Sequence, residues 1–327
     1  MIEEQLVSSA LPTIDEIRKA QELVYSVMQP TPQMVWPLLC ERLETEVWVK
    51  HENHTPIGAF KARTAVVYAA ELFRGPNHIT GLVTATRGNH GQSVALAARR
   101  FNVEAHIVVP RGNSTEKNAA MRSQGAHLIE FGSDYQESKE HAAHLAHEHG
   151  WHFVPAYHSS IVTGVATYWL EFFSAVNDLD LVYVPIGQGS GICACVAVRN
   201  GLNRKTTIVG VVAEGAPAYA LSFEAGRKIS APVTTQLGDG MACRVPDDAS
   251  LEVVLDNVDH IVQVSEEEMS GAMKIFFTDT HNVAEGAGAA GLAAALKEKQ
   301  SLKGKRVGLV LTGGNVDRQV FAKILAA

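Results

Sequence analysis

The stretches "LVYVPI" (residues 181–186), "IVGVVA" (208–213) and "VGLVL" (307–311) are apolar almost from end to end. A strand with one wet face alternates apolar and polar residues. A strand without that alternation is covered on both faces, the condition of strands in a mostly parallel sheet packed between layers of helix. Strands are predicted there at Leu181–Ile186, Ile208–Ala213 and Val307–Leu311. Five more are predicted at Glu46–Lys50, Gly81–Thr84, His106–Val109, His127–Glu130 and Ile261–Val264. Helical stretches lie between them, so the expectation is α/β organisation with helices on both sides of mostly parallel sheets.

The first helix is legible in "PTIDEIRKAQELVYSVMQP". Thr13 and Glu16 form a capping box, and Ile14, Ile17, Val24, Val27 and Met28 recur at helical spacing. Pro30 and Pro32 are expected to stop it, because proline cannot donate the helical hydrogen bond. Ser265 and Glu268 form a second capping box, opening "SEEEMSGAMKIFF". The chain shows no internal repeat and no low-complexity linker. The turn-rich "PAYHSSIVTG", near residues 155–165, is the candidate crossover between lobes. At 327 residues and 46% hydrophobic composition, the chain can bury more than one lobe.

A formal net charge of −7 argues against nucleic-acid binding, which rests on basic patches over phosphates. The start, "MIEEQLVSSALPTIDE", is acidic and does not read as a signal peptide. No apolar run is long enough to span a bilayer. The four cysteines, Cys40, Cys193, Cys195 and Cys243, are few and scattered, and read as reduced thiols in a cytoplasmic protein. Cys193 and Cys195 form neither a redox motif nor a zinc set, and read as small buried hydrophobes on a helix. In "HAAHLAHEHG", His141 and His144 share a helix face with Glu148, and that face reads as solvated rather than metal-binding.

Three predicted strands run into polar, glycine-rich turns that open helices. They are "TATRGNHGQSVALAAR" (84–99), "VPIGQGSGICACVAV" (184–198) and "LVLTGGNVD" (309–317). Ligands of open α/β sheets bind at the carboxyl ends of strands. Free N–H groups at a helix start bind anions, and glycine lets the backbone approach. Gly187, Gln188, Gly189, Ser190 and Gly191 therefore form either a phosphate cup or a tight turn. Glu214 at the end of the next strand imitates a dinucleotide site, but Ile192 stands where that fingerprint needs glycine or alanine. A fourth segment, "HENHTPIGAFKARTA" (51–65), places Lys61 after Gly58, Ala59 and Phe60. That amine is either a surface group at a helix start or a reagent.

In this order, the four segments resemble the fold type II pyridoxal-phosphate enzymes. The likeness is greatest to the threonine and serine dehydratases, a branch that includes serine racemase. It runs from Thr31 to Asp317. The resemblance implies two lobes, each a mostly parallel twisted sheet flanked by helices, like the tryptophan synthase β subunit. A large cofactor-binding domain would comprise residues 1–75 and 158–327, and a small substrate-loop domain residues 76–157. Lys61 would form the internal Schiff base with pyridoxal 5'-phosphate. Phe60 would lie against the pyridine ring, Asn89 would bond its hydroxyl, and Thr312 would face its nitrogen. Gly187 to Gly191 would bind the phosphate, and Glu285 matches an acidic residue near the cofactor. The loop of Thr86, Arg87, Gly88, Asn89 and His90 would bind the substrate carboxylate, and Asp239 would lie near the substrate amine.

The implied reaction is loss of water from a 3-hydroxy amino acid, such as L-threonine or L-serine, giving a 2-oxo acid and ammonia. Alternatives are 3-hydroxyaspartate or 3-phenylserine as substrate, β-replacement on the same scaffold, or a non-catalytic amino-acid-binding relative. Several positions depart from the family pattern. Arg87 stands where the racemase has a serine acid/base. A permanent cation is a poor proton shuttle, so dehydration without useful racemisation is expected. Arg87 either meets a second carboxylate or points away. Glu137 stands where racemase-like members have an arginine for that group. Ile57 and Ala59 replace residues usually hydroxylated. Glu214 matches one ligand of the racemase-type divalent metal site, but Ala220 occupies its aspartate position, which leaves the metal open. The chain ends soon after Thr312, without room for a regulatory domain, which suggests a catabolic or specialised role. A homodimer is what the family implies.

Overall fold

The computed structural model describes residues 11–75 and 79–327, so the opening ten residues, on which most of the signal-peptide reading rests, lie outside the described residues. Among the described residues ten strands are present: β1 (Gln33–Val35), β2 (Glu46–His51), β3 (Gly81–Ala85), β4 (Glu104–Val109), β5 (Ala126–Glu130), β6 (His152–Phe153), β7 (Leu181–Pro185), β8 (Thr207–Ala213), β9 (His260–Val264) and β10 (Arg306–Leu311). They form a six-stranded sheet in the order β1-β2-β10-β7-β8-β9 and a four-stranded sheet in the order β5-β4-β3-β6. Every pairing is parallel except that of β1 with β2.

The unbroken apolar runs are explained by burial on both faces. In β7, Val182 and Val184 join a core with helices Ser159–Ala175 and Ser190–Gly201. Leu181 and Tyr183 join the opposite core, with helices Glu266–Thr280 and Gly286–Lys297. β8 divides in the same way, with Ile208 and Val212 on one side and Val209 and Val211 on the other. The four-stranded sheet repeats the pattern: Leu82 packs against helix Asn89–Phe101 and Val83 against helix Tyr135–His149. Cys193 and Cys195 are buried on helix Ser190–Gly201. Among the described residues no helix is long and apolar enough to cross a membrane.

All eight predicted strands are present, with ends shifted by one or two residues. Two strands escaped the sequence reading. β1 and β6 are three and two residues long, too short to show a period. The first helix also differs. It spans Ile14–Tyr25 with the expected capping box, and Ser26 closes it by donating its N–H to Leu23 and Val24. Val27 and Met28 lie beyond its end, so the prolines are not what stops it. Its buried face is Ile17, Ala20 and Val24. The turn-rich stretch at 155–165 leads from β6 into helix Ser159–Ala175.

Parallel register brings the ends of β2 and β10 level, with Leu311 opposite His51. The loops that follow β2, β10 and β7 therefore open on one edge of the large sheet, where ligands of open α/β sheets bind.

Candidate active site

Lys61 sits in a one-turn 3₁₀ helix, Phe60–Arg63, beyond β2. The loop after β10 is stitched to it. Phe60 donates its N–H to the Thr312 carbonyl at 2.9 Å, Gly314 donates to the Gly58 carbonyl at 2.9 Å, and Ala59 pairs with Gly313. The Lys61 carbonyl accepts from the Thr64 hydroxyl at 2.9 Å and from the Ser93 hydroxyl. The turn that carries the lysine is thus held by the loop after β10 and by Ser93 of helix Asn89–Phe101. Its ammonium lies 5.0 Å from the Phe60 ring centroid. The side chain lies deep in the protein yet is only half-buried by accessible surface, as befits a group lining a cleft. Burial lowers its pKa to about 8, against the opposing pull of Glu285.

The substrate-loop candidates follow β3. Thr86 and His90 are buried, Gly88 donates its N–H to the Thr86 hydroxyl at 3.0 Å, and Asn89 opens helix Asn89–Phe101. Arg87 is exposed, the one side chain of this loop turned to solvent. Burial, and then the neighbouring Lys61 charge, push the His90 pKa down to about 3, so its ring is neutral. Asn89 reaches across to the other sheet: it donates to Glu285 at 2.8 Å and accepts from Asn315 at 2.7 Å. Asn315 also donates to the Ile57 carbonyl at 2.8 Å, which closes a chain of amides beside the lysine loop.

Glu285 caps helix Gly286–Lys297 without bonding its end. It is buried, and its Oε2 has no hydrogen-bond partner. Burial raises its pKa to about 7, reinforced by Asp239 and opposed by Lys117, the Asn89 hydrogen bond and Lys61. A carboxyl whose pKa is higher folded than unfolded favours the fold at low pH, and that contribution disappears as pH rises through the folded value. For Glu285 the window runs from 4.5 to about 7. Glu285→Gln is therefore expected to raise the melting temperature of the cofactor-free protein at pH 8 by a few degrees, and to change it little at pH 4. Melting curves of both proteins across pH check this; a difference independent of pH would refute it.

The glycine-rich turn after β7 leads into helix Ser190–Gly201, whose N-terminal end carries no side-chain cap. Its first-turn N–H groups stay available to an anion. Gly189 has φ +97°, and a Cβ there would stand 2.5 Å from Ser250 Cβ. Conformation and space both require glycine. Gly187, Gln188 and Gly191 are half-buried and Ser190 is buried beside it. Thr312 is buried at the end of β10. Asp239 is half-buried in the short helix Asp239–Met241, which packs against Gly187 through the Gly240 carbonyl.

Two side chains of this cleft escaped the sequence reading: Lys117 pairs with Asp239 at 2.5 Å, and Ser114 donates to Asp317 at 2.5 Å. Nothing local marks them, because their partners lie 122 and 203 residues away. Asn315, inside the glycine-rich "LVLTGGNVD", bonds Asn89. Other candidates lie elsewhere. Among the described residues no three His, Cys, Asp or Glu side chains converge as a metal would require. Glu214 faces Lys297 at 3.8 Å. His141 stacks on Phe131 and His144 faces Glu148 at 3.5 Å. Glu137 accepts from the Ser133 N–H at 2.7 Å at the start of its own helix.

The cleft has what a phosphorylated aldehyde needs. It offers an amine of lowered pKa, an uncapped helix start, and two buried polar atoms without partners, Glu285 Oε2 and His90 Nε2. Comparison with known proteins agrees. The sequence model of a family described as "Pyridoxal-phosphate dependent enzyme" matches residues 24–313. The L-threonine ammonia-lyase of Thermotoga maritima is 34% identical over 96% of this chain and 78% of its own length. The L-threo-3-hydroxyaspartate ammonia-lyase of Saccharomyces cerevisiae is 30% identical over 97% of both. The structure of maize serine racemase superposes with a TM-score of 0.88 at 29% identity, covering 97% of this chain and 98% of that one.

Proposed function

The chain belongs to the pyridoxal-phosphate dependent enzymes, and we propose that it is an ammonia-lyase converting a 3-hydroxy amino acid, L-threonine or L-serine foremost, to a 2-oxo acid and ammonia. The observation that carries this reading is the Lys61 amine. It stands at the carboxyl edge of the large sheet, on a turn held by the loop after β10 and by Ser93, with its pKa lowered to about 8.

Bound pyridoxal phosphate supplies an aldehyde for the amino group and a ring that takes up the electrons of the Cα–H bond. Gly187, Gln188, Gly189, Ser190 and Gly191 would hold its phosphate, and Phe60, Asn89 and Thr312 would flank its ring. Lys61 serves twice. It would anchor the cofactor, and its free amine would take the α-proton. An amine with a pKa near the working pH is free often enough to act as base yet basic enough to take the proton. Thr312 presents a hydroxyl, which cannot keep a ring nitrogen protonated as a carboxylate would. That would weaken the ring's hold on electrons and favour loss of the β-hydroxyl. Asn89 and His90, at a helix start with its positive dipole end, orient the substrate carboxylate. Neutral His90 does so without competing for the proton.

Arg87 turns to solvent, which supports dehydration without racemisation. We place the two-lobe boundary at residues 76 and 157 and read the protein as a homodimer, as the family resemblance implies, and as cytoplasmic, from its few scattered cysteines. The test is a substrate panel: ammonia and 2-oxo acid release from L-threonine, L-serine, L-threo-3-hydroxyaspartate and 3-phenylserine. Threonine or serine is expected to give the highest kcat/KM. Preference for 3-hydroxyaspartate would move the assignment to the dicarboxylate branch, and no release from any of the four would end it.

A further inference from the structure

Polar contacts join the small sheet's segments to the large sheet's loops. Ser93 and Asn89 make those described above. Three more come from the first turn of helix Thr115–Ser123 and its cap. Ser114 donates to Asp317, Glu116 accepts the Arg318 N–H at 3.0 Å, and Lys117 pairs with Asp239. The second is exposed, and the first and third are partly buried; in the third, the side-chain exposures of Lys117 and Asp239 are 16% and 23%.

Lys117 occupies a particular place. Its stem runs along Gly88, the middle of the substrate loop, where a Cβ would stand 3.0 Å from Lys117 Cδ. Its partner belongs to the segment that packs on Gly187 at the glycine turn. One ion pair therefore ties the substrate loop to the turn proposed to hold phosphate. Burial disfavours the Lys117 charge, but Asp239, Glu285 and Asp317 outweigh it and raise its pKa. The ammonium is charged throughout the working range.

A partly buried pair is costly to break, because each partner is left charged and unpaired. A free α-amino acid removes that cost. It carries one carboxylate and one ammonium, so it can exchange with both halves at once. We propose that the Lys117–Asp239 pair closes the cleft and that Lys117 is a specificity-determining residue for zwitterions, taking the incoming carboxylate while Asp239 takes the ammonium. The carboxylate then passes to the adjacent loop at Gly88–His90, and the pair re-forms over the bound substrate. This rests on the amino-acid lyase function proposed above.

The experiment compares the wild type with Lys117→Met, Lys117→Arg and the charge-swapped double variant Lys117→Asp/Asp239→Lys. Two quantities are read: amide hydrogen exchange of segments 86–90 and 239–241 in the cofactor-free protein, and KM and kcat for L-serine and L-threonine in the loaded protein. Lys117→Met is expected to speed exchange in both segments and to raise KM about tenfold, with a smaller change in kcat. Lys117→Arg, which keeps the charge, is expected to stay near wild type in both. The swapped pair is expected to restore exchange but not KM, since its charges face the zwitterion the wrong way round. Exchange and KM unchanged in Lys117→Met would overturn the proposal. So would an arginine variant as impaired as the methionine one. Recovery of KM by the swap would reduce the pair to a staple and end the claim of selection. If the wild type turns over no 3-hydroxy amino acid, the function fails instead, and the exchange data still decide the pair.

Discussion

Lys61→Ala is expected to lower turnover of the preferred 3-hydroxy amino acid by at least about 10³-fold, with the fold intact. The size follows from two losses at one atom. Without the amine nothing on this chain anchors the aldehyde, and no other base replaces it at the α-proton. His90 is close enough to feel the Lys61 charge, and its pKa of about 3 makes it too weak a base. Glu285 bonds to Asn89 and is itself pushed toward its neutral form. The fold should survive, because the contacts holding this segment are made by backbone atoms and by Arg63. Removing a buried amine also relieves its desolvation cost. Two measurements check this: initial rates of 2-oxo acid release, and borohydride reduction after incubation with pyridoxal phosphate, followed by peptide mapping. Wild type should carry the label on residue 61. An alanine variant retaining more than a tenth of the activity would show that the proton is moved elsewhere.

Arg63→Leu is expected to cost about 3–5 kcal/mol of stability, which lowers the apparent melting temperature by roughly 10 °C. Arg63 lies two residues beyond Lys61 and is fully buried. Its guanidinium meets Glu52 at 2.8 Å and Glu171 at 2.6 Å. It also donates to Thr167 at 3.0 Å. Lys50, equally buried, supports Glu171 at 2.6 Å and donates to the Thr31 carbonyl at 2.6 Å. Two cations thus balance two carboxylates. Taking away the guanidinium leaves Glu52 buried opposite no charge and Glu171 with only Lys50. Folding stability is of the order of 5–15 kcal/mol, so this loss is a large fraction of it. Arg63→Lys should recover little, since one ammonium cannot bridge both carboxylates as a planar fork does. Thermal melts measure both variants. A leucine variant within about 2 °C of wild type would mean that the carboxyls take up protons at small cost. The same change should loosen the turn that carries Lys61, so cofactor retention should weaken along with stability.

The fold was largely legible in the sequence, and the reason is physical. Burial on both faces leaves strands such as Ile208–Ala213 no polar position, and the chain writes that down directly. Glycine-rich turns are equally local: Gly189 is glycine because its own φ demands it. Element ends were less legible. Ser26 terminates the first helix by a turn that "YSVMQP" does not announce, and β1 and β6 form only because a long neighbour offers them an edge. Among site residues, those inside motifs were found. Those that meet by packing were not. Arg63 and Lys50 read in sequence as ordinary charges, because composition says nothing about depth, and their shared partner Glu171 lies 108 and 121 residues away.

By itself the sequence determined the sheet type, the loops at the strand ends and the order of motifs that marks the family. These depend on periodicity, backbone conformation and residue type, all of which act over a few residues. Tertiary structure alone decided that Arg87 faces solvent, that Glu285 is buried with an unpartnered oxygen, and that Lys117 closes on Asp239. Each of these depends on desolvation and on charges brought together by the packing of two sheets, and such energies exist only once the chain has folded.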